Sequence, residues 1–416
     1  MTIPQGYKQT ELGIIPEDWE VKPFSQIFDM YPNNTYPRDC MNDSCGVVRN
    51  IHYGDVLIKY PTIVDVEKCA IPYLNENVKI KLQKLVQSGD IIIADTAEDE
   101  TVGKCVEIKN VGNNKIVAGL HTFFCRPTAP FAAGWLGYYI NSTNYHNQLI
   151  PYITGIKVSS ISRTSIQETK LLVPPIVEQK AIAEALSDVD GLIAALDKKI
   201  AKKRLIKQGA MQQLLTGKKR LPGFTDVWVE KTLGEIGSLS MCKRIFLEET
   251  SDSGDVPFYK IGTFGHEADA FISKAKYENY KSMYRFPNKG DILISAAGTI
   301  GRTIVYDGKP AYFQDSNIIW LAHDQKNVLN VYLSYVYQII NWNIENTTIA
   351  RLYNDNFNNT VVLFSKSLTE QQAIATILSD MDKEIADLEA QRDKYRLLKS
   401  GMMQKLLTGQ IRLKNE

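Results

Sequence analysis

Two stretches of the chain carry apolar residues at alternating intervals of four and three positions. In the first stretch these positions are Ile182, Leu186, Val189, Ile193, Leu196 and Ile200. In the second they are Ile374, Leu378, Met381, Ile385 and Leu388. This spacing is typical of the buried seam of a coiled coil. The pattern therefore predicts two long amphipathic helices, each with one side that must be buried.

The two predicted helices are copies of one sequence. The segment from Glu178 to Leu221 reappears from Glu370 to Leu413 without a gap, and more than half of the aligned positions are identical. A long-period repeat indicates a repeated architecture. Since only two copies are present, it predicts a pseudo-symmetric pair and not a solenoid. Whatever one half binds, the other half is expected to bind something of the same kind.

Local signals mark the ends of both helices. Pro174-Pro175 precedes the first helix, and Thr369 with Gln372 predicts a capping box at the second. Gly217 and Gly409 stand where a glycine would terminate each helix. Helices of this extent are about 55 Å long. We predict that they pack on each other in antiparallel orientation, because parallel packing would require the intervening domain to span the full helix length. Independent packing of each helix on its own domain is the alternative.

The segments outside the helices predict two related, β-rich domains. Short β-branched runs, each opened by a Gly-Asp turn, occur at 89–93 and 290–294 and indicate strands. The predicted fold class is α+β, with two mixed β-rich domains separated by two long antiparallel coiled-coil helices in a pseudo-twofold arrangement. The predicted boundaries are 1–176 for the first domain, 177–217 for the first helix, 218–368 for the second domain, and 369–416 for the second helix and the C-terminal tail.

Composition indicates an ordinary globular protein. The chain is 44% hydrophobic and 23% charged, and it shows neither a signal peptide nor an apolar run of membrane-spanning length. Its six cysteines form no CxxC pair, which is typical of reduced thiols. We therefore expect a cytoplasmic protein.

The charge is unevenly distributed. The net charge is only +1, which argues against a protein that wraps nucleic acid by electrostatics alone. However, basic residues strongly outnumber acidic ones between Asp197 and Arg220. Two interpretations remain open: a solvated helix face that complements the helix dipole, or contacts to DNA phosphates.

The sequence lacks the catalytic and nucleotide-binding motifs that would indicate an enzyme. It contains no amino-methyltransferase motif, no GxGxxG and no Walker lysine. Asp291 with Asp307-Gly308-Lys309 is the nearest nuclease-like pattern, but Asp-Gly between apolar runs is more typical of a hairpin turn. The five histidines show no metal-ligand spacing. We expect no catalytic residue, no metal site and no cofactor bound by this chain.

A set of short motifs extends along essentially the whole chain. They are Gly6-Tyr7-Lys8, Ile15-Pro16-Glu17-Asp18-Trp19, Val173-Pro174-Pro175-Ile176-Val177-Glu178-Gln179, Pro222-Gly223-Phe224-Thr225-Asp226 and the two Leu-Leu-Thr-Gly helix ends. Together they resemble the specificity (S) subunits of type I restriction–modification systems. The second helix departs from the pattern, having Ser365-Lys366-Ser367 in place of the Pro-Pro lead-in.

The resemblance implies a non-catalytic DNA-specificity subunit. Each of its two target recognition domains would recognise one half of a bipartite, asymmetric DNA site, while the helices set the gap. The implied partners are double-stranded DNA, two methyltransferase (modification) subunits recruited by the helices, and motor-nuclease (restriction) subunits in the full complex. S-adenosylmethionine, ATP and Mg would then be bound by the partner subunits.

Two polar loops in each domain are predicted to contact DNA. One follows the last helix of the domain, at 155–163 in the first domain and 349–354 in the second. The other follows the central strand, at 96–104 and 298–302. Their side chains suit base edges and phosphates. The predicted DNA-binding residues are Thr96, Lys104, Lys157, Ser159, Ser160, Arg163, Thr299, Arg302, Arg351, Tyr353 and Asn354.

An enzyme and a structural adaptor are the alternative functions. A stand-alone nuclease or fused methyltransferase would need the motifs that the sequence lacks. A purely structural coiled-coil adaptor would show no sequence-selective DNA binding in its complex. The acidic loop at 95–100 is either a solvated loop or a source of carboxylates that accept from a cytosine amino group.

Overall fold

The computed structural model describes residues 3–76, 78, 84–155, 157–342 and 351–413. The chain divides into two compact units. Unit 1 comprises Met1–Asp197 and Ala390–Glu416, and unit 2 comprises Lys198–Glu389. Each unit therefore contains one globular domain together with a part of each long helix.

Unit 1 is built from short strands and four short helices before its long helix. Its strands are β1 (Tyr7–Thr10), β2 (Gly13–Pro16), β3 (Glu20–Pro23), β4 (Phe28–Tyr31), β5 (Met41–Asn42), β6 (Val48–Ile51), β7 (Ile63–Asp65), β8 (Tyr73–Leu74), β9 (Ile91–Ala94), β10 (Thr96–Ala97), β11 (Cys105–Lys109), β12 (Lys115–Ala118), β13 (Thr122–Pro127), β14 (Ser159–Ser160) and β15 (Lys170–Val173). Its helices are α1 (Phe24–Ile27), α2 (Trp135–Ile140), α3 (Thr143–Leu149), α4 (Arg163–Gln167) and the first part of α5 (Ile176–Leu214).

The main sheet of unit 1 has the strand order β4-β13-β9-β11-β7, and β9 lies at its centre. All four residues of β9 are buried, as a continuous apolar run predicts. The turn before β9 has Gly89 in the left-handed region, at φ +92°, and the Asp90 carboxylate accepts from the Gln87 backbone N–H at 2.6 Å. The predicted Gly-Asp turn and the strand after it are confirmed. A second sheet has the order β12-β6-β8-β5.

Unit 2 has a simpler set of elements. Its strands are β16 (Trp228–Thr232), β17 (Ser238–Ser240), β18 (Val256–Tyr259), β19 (Phe271–Ile272), β20 (Ile292–Ser295), β21 (Thr303–Val305), β22 (Tyr312–Phe313), β23 (Ile318–Ala322) and β24 (Val361–Ser365). Its helices are α6 (Leu233–Ile236), α7 (Lys274–Met283), α8 (Asn330–Ile339), α9 (Asn354–Asn358) and the first part of α10 (Leu368–Leu406). The main sheet has the order β17-β23-β20-β21, with β20 fully buried inside it.

Both long helices span 39 residues. They begin one residue before the predicted starts and end three residues before Gly217 and Gly409, both of which adopt left-handed φ values. The predicted capping box at Thr369 is wrong, because α10 begins at Leu368 and the Ser367 hydroxyl accepts from the Glu370 N–H at 3.3 Å. Ser367 therefore occupies the capping position, two residues earlier in the chain than predicted.

Within each unit the two long helices lie side by side in opposite directions. In unit 1, Asp190 pairs with Lys399, and Asp197, further along α5, pairs with Arg392, earlier in α10. Unit 2 shows the same order, in the pairs Lys203–Glu384 and Lys207–Asp382. The seam residues also pack on the domains, since Ile182 and Leu186 belong to the core of unit 1.

Several cations of the basic run take part in these contacts. Lys203, Arg204, Lys207 and Arg220 form ion pairs with carboxylates of α10 inside unit 2. Their charge is thus used in packing one helix against the other. Neither interpretation of the basic run anticipated this arrangement.

Each unit contains a buried Glu–Arg pair between its two long helices. The glutamate lies at the beginning of one long helix, and the arginine lies in the segment that follows the other long helix. In unit 1, Arg412 donates from two nitrogens to Glu178, at 2.7 Å each. In unit 2, Arg220 donates to Glu370 at 2.6 and 2.8 Å. Glu178 is 3% exposed and Glu370 is 0% exposed, so both carboxylates depend on the arginine for charge compensation.

Replacing Arg220 by alanine should leave Glu370 buried without its partner. Breaking a buried ion pair in this way costs about 3–5 kcal/mol. We expect a corresponding decrease in the free energy of unfolding, measured by chemical denaturation. The matched control is Lys218→Ala, which removes an exposed cation two residues away. An equal effect of both substitutions would contradict the assigned role of Arg220.

Candidate nucleic-acid interface

The structure brings together the two loops of the first domain that the sequence singled out. Immediately after the central strand β9, β10 pairs in antiparallel fashion with β14, so that Thr96 lies opposite Ser160. The Ile161 N–H donates to the Asp95 carbonyl at 2.9 Å. The segment between α3 and α4 is thereby fixed to the end of the central strand. Its predicted place after the last helix of the domain is wrong, because α4 follows it, as α9 follows its counterpart in unit 2.

Unit 2 repeats this arrangement with different residues. Ala297, which follows β20, lies opposite Arg351 in an isolated antiparallel bridge. The Leu352 N–H donates to the Ala296 carbonyl at 2.8 Å. Both units therefore place the two candidate loops next to each other. The neighbouring positions Ile349, Ala350 and Ile156 lie outside the described residues.

The loop after the central strand closes with the same backbone hydrogen bonds in both units. In unit 1, the Ala94 N–H donates to the Lys104 carbonyl, and in unit 2, the Ser295 N–H donates to the Arg302 carbonyl, both at 2.9 Å. Lys104 and Arg302 therefore occupy equivalent positions. The loop of unit 1 is longer and carries the acidic residues, whereas the loop of unit 2 is short.

The side chains of these two cations have different environments. The Lys104 amine is half-buried and donates to the Leu57 carbonyl at 2.5 Å, and burial lowers its pKa. Its ammonium group thus serves packing within unit 1. Arg302 is exposed, although one of its nitrogens donates to the Phe264 carbonyl at 2.8 Å. Arg302 is the better placed of the two for an external ligand.

The remaining candidates of unit 1 lie along one edge of the domain. Lys157 is exposed, and Ser159 and Ser160 are half-buried in β14. Arg163 is the first residue of α4, is exposed, and donates to the Met30 carbonyl at 2.8 Å. These four side chains flank the junction of β10 and β14.

The remaining candidates of unit 2 flank the equivalent junction. Thr299 is exposed at the tip of its loop. Arg351 is half-buried and donates to the Asn317 side-chain oxygen at 3.4 Å. Tyr353 is 43% exposed, and Asn354 is the exposed first residue of α9, the position that Arg163 occupies in α4. Whether any of these residues contacts DNA stays a prediction.

The sequence did not single out two residues at the same junctions, His121 and Asn317. Each lies just before a strand that flanks the central strand. The His121 carbonyl accepts from the Asp95 backbone N–H at 3.2 Å, and the Asn317 carbonyl accepts from the Ala296 backbone N–H at 2.8 Å. The local signal was weak, since His121 reads as a lone histidine and Asn317 as a turn residue. Only the pairing of the strands brings them to the candidate loops.

In the described part of the chain, no group of three or more His, Cys, Asp or Glu side chains could hold a metal ion. The helices described include none that is long and apolar enough to span a membrane. Asp291, from the nuclease-like pattern, accepts from the Asn288 N–H at 2.8 Å and from the Asn330 side chain at 3.2 Å. It thus stabilises the turn before β20.

Sequence comparisons connect this chain to proteins of known family. The family model described as type I restriction modification DNA specificity domain matches residues 225–395. A putative type I restriction enzyme specificity subunit from Haemophilus influenzae is 38% identical over 60% of this chain, and the match spans 64% of that relative. The putative MjaX specificity subunit of Methanocaldococcus jannaschii is 25% identical over 99% of this chain and 97% of its own length.

The fold is shared over nearly the full length as well. The crystal structure of a type I restriction–modification S subunit from M. genitalium superposes with a TM-score of 0.56, at 15% identity, covering 98% of both chains. The chain is thus similar to type I restriction–modification specificity subunits in sequence over the matched segments, and to one such S subunit in fold over nearly its full length. A chain from a structure concerned with complex assembly and conformational transition of the type I restriction–modification system also superposes, with a TM-score of 0.55 and 16% identity, covering 95% of this chain and 99% of that chain.

One glycine of unit 2 is required by the geometry of the candidate interface. Gly301 has φ +81°, and a Cβ atom there would lie 2.4 Å from Nε1 of Trp342. Gly301→Ala should therefore displace the loop that carries Arg302 and cost about 1–3 kcal/mol of unfolding free energy. Gly262→Ala is the control, because a Cβ at Gly262 meets nothing within 4 Å. Unchanged thermal stability of Gly301→Ala would contradict this assignment.

Proposed function

We propose that this chain is the DNA sequence-specificity subunit of a type I restriction–modification complex and that it performs no catalysis itself. Each domain recognises one half of a bipartite, asymmetric site in double-stranded DNA. The methyltransferase subunits bind S-adenosylmethionine, and the motor-nuclease subunits use ATP and Mg. The complex acts in the cytoplasm. The match of residues 225–395 to the specificity-domain family model and the names of the matched relatives support this proposal.

One observation carries the two-part recognition. Both units assemble the same junction from the end of the central strand, the start of the flanking strand and the segment just before the last short helix, which is α4 in unit 1 and α9 in unit 2. The side chains at the two junctions differ, as in Thr96 and Ser160 against Ala297 and Arg351. A repeated frame with different side chains suits a target whose two halves differ in sequence.

The long helices are proposed to set the distance between the two half-sites. Their antiparallel contacts within each unit support this role, since two packed helices resist bending better than one. If both domains enter the major groove on one face of the DNA, their centres lie about one helical turn, roughly 10 bp, apart. With halves of about 3–4 bp, the gap between them is about 6–7 bp.

Methylation profiling of DNA modified by the complex with its methyltransferase partner tests this geometry. We expect a two-part motif with halves of about 3–4 bp and a gap of about 6–7 bp. The chain alone should methylate nothing, and the methyltransferase without it should show no motif. A single contiguous motif, or a gap longer than a helical turn, would refute the proposed spacing, and methylation by the chain alone would refute its non-catalytic role.

A pair of repeat-related surface grooves supports the recruitment of two methyltransferase subunits. We define the helix-pair groove of unit 1 by Arg396, Lys399, Ser400, Met403 and Gln404 of α10 with Asn141, Ser142, Thr143, Asn144 and Asn147, and its volume is about 560 Å³. The helix-pair groove of unit 2 is defined by Arg204, Lys207, Gln208, Met211 and Gln212 of α5 with Gln338, Ile339, Asp382, Ile385 and Glu389, and its volume is about 410 Å³. The five α10 residues of the first groove are the repeat counterparts of the five α5 residues of the second.

Each helix-pair groove is bordered by the same three-residue cluster. In unit 1, Lys399 pairs with Asp190, which also accepts from the Tyr138 hydroxyl at 2.8 Å. In unit 2, Lys207 pairs with Asp382, which accepts from the Tyr335 hydroxyl at 3.0 Å. Both clusters join the two long helices to the domain. The grooves are therefore held in a defined shape, as a specific protein contact requires.

Exposed apolar side chains lie on the same helices. Leu397 and Leu398 are 76% and 50% exposed in unit 1, and their repeat counterparts Leu205 and Ile206 are 68% and 46% exposed in unit 2. Exposed apolar pairs at matching positions mark surfaces that a partner covers. Two copies of one surface fit two copies of one partner, and we therefore assign one methyltransferase subunit to each helix-pair groove and its apolar pair.

A negative charge introduced into one of the exposed apolar pairs should prevent the binding of one methyltransferase subunit. Leu397→Asp is expected to reduce the stoichiometry from two methyltransferase subunits per chain to one, because burying an unpaired carboxylate opposes binding. Native mass spectrometry of the complex measures the change. Leu192→Asp is the control, since Leu192 is also an exposed leucine, at 47%, but its repeat counterpart is Glu384. Retention of two subunits by Leu397→Asp would exclude this surface.

A further inference from the structure

His121 in unit 1 is held by neighbours from the candidate interface. Its Nδ1 lies 3.3 Å from a carboxylate oxygen of Asp95 and 3.4 Å from the hydroxyl of Thr96. The Tyr53 ring packs edge-on against the imidazole, with 5.4 Å between the ring centroids. The backbone of His121 adopts a left-handed conformation, at φ 53°. Its side chain is nevertheless 48% exposed, so it is oriented and accessible at once.

Asn317 in unit 2 is held in a comparable way. Its side-chain oxygen accepts from the Arg351 guanidinium at 3.4 Å, and its backbone N–H donates to the Asp315 carbonyl at 2.7 Å. The residue before it, Ser316, has the left-handed φ of 59°. Asn317 is half-buried at the junction of the candidate loops.

The two residues are structural counterparts. Each carbonyl accepts from the backbone N–H of the residue that directly follows the central strand, which is Asp95 in unit 1 and Ala296 in unit 2. Each side chain also touches one of the predicted DNA-contacting residues, Thr96 or Arg351. The position is thus shared by the two units, while the residue type differs.

The neighbours fix the hydrogen-bonding character that each side chain presents outward. The Asp95 carboxylate beside Nδ1 can only accept, which favours the His121 tautomer with the proton on Nδ1, and in that tautomer Nε2 is an acceptor. Arg351 occupies the oxygen of Asn317, which leaves its amide N–H groups as donors. In the part of the chain that the structure describes, neither Nε2 of His121 nor Nδ2 of Asn317 has a hydrogen-bond partner.

We propose that His121 and Asn317 are matched specificity-determining positions, one for each half of the DNA target. His121 accepts from the exocyclic amino group of a cytosine or an adenine in the major groove. Asn317 donates to a base acceptor there, such as the N7 or O6 of guanine or the O4 of thymine. Asp95 and Arg351 act as positioning residues that set the polarity of each contact. This inference rests on the proposed function and names the residues that carry it out.

Exchange of the two residue types tests the proposal within one protein. His121→Asn should relax or change one base of the first half-site and leave the second half-site intact. Asn317→His should do the reverse, so that each variant is the control for the other. Loss of one base contact corresponds to a decrease of about 5- to 150-fold in discrimination at that base. Methylation profiling of each variant complex measures both half-sites together.

A third variant separates recognition from folding. Lys115→Asn introduces the same residue type at an exposed position of unit 1, at the start of β12 in the second sheet, and should leave the whole motif unchanged. Thermal unfolding and methyltransferase stoichiometry should be the same for all three variants and the unaltered chain. A destabilised variant would lose methylation at all sites equally, whereas a specificity variant changes the motif.

The outcomes distinguish this inference from the proposed function. If the unaltered complex methylates a two-part motif, and both exchange variants fold and methylate that same motif, the inference is overturned while the proposed function stands. Changes in the half-site opposite to the one assigned would also overturn it. If the unaltered complex shows no sequence-selective methylation, both proposals fail.

Discussion

The buried Glu–Arg pairs determine how the repeated helices are arranged. Glu178 accepts two hydrogen bonds from Arg412 and a third from the Trp19 indole at 2.9 Å, at a position almost closed to water. A buried carboxylate costs several kcal/mol unless a cation compensates it. The segment after α10 must therefore lie at the beginning of α5. The pair Glu370–Arg220 imposes the same requirement on unit 2. Opposite helix directions within each unit follow directly from these two contacts.

Once the ends are fixed, the contacts along the helices follow in register. Asp190 meets Lys399 in unit 1, and Asp382 meets Lys207 in unit 2. A tyrosine of the adjoining domain donates to each of these carboxylates. In unit 1 the Ala132 N–H of the domain also donates to the side-chain oxygen of Gln179 in α5, at 3.1 Å. The helices are therefore joined to the domains by hydrogen bonds as well as by apolar packing. Such junctions would restrict the motion of a domain about its helices, which the proposed spacing of two half-sites needs.

Features encoded by local sequence were predicted, and features that depend on distant contacts were not. The apolar period and the repeat predicted both long helices to within a few residues, and the Gly-Asp turns located the strands β9 and β20. Lys104 was selected as a DNA contact from its loop alone, but its amine donates to the Leu57 carbonyl, which lies far away in the sequence. His121 and Asn317 were not selected, because only strand pairing brings them to the candidate loops. Periodicity carries no information about such neighbours.

Residues that are the same in both copies hold the helices together, whereas residues that differ between the copies lie at the candidate DNA interface. Two of the ion pairs that hold the helices occur in both copies: Glu178–Arg412 and Asp190–Lys399 of unit 1 have the counterparts Glu370–Arg220 and Asp382–Lys207 in unit 2. Residues at the candidate interface differ between the copies, as His121 and Asn317 do. If the target were a perfect palindrome, identical side chains at these positions would suffice. Their difference, on a frame that is otherwise repeated, is the physical reason to expect two unlike half-sites.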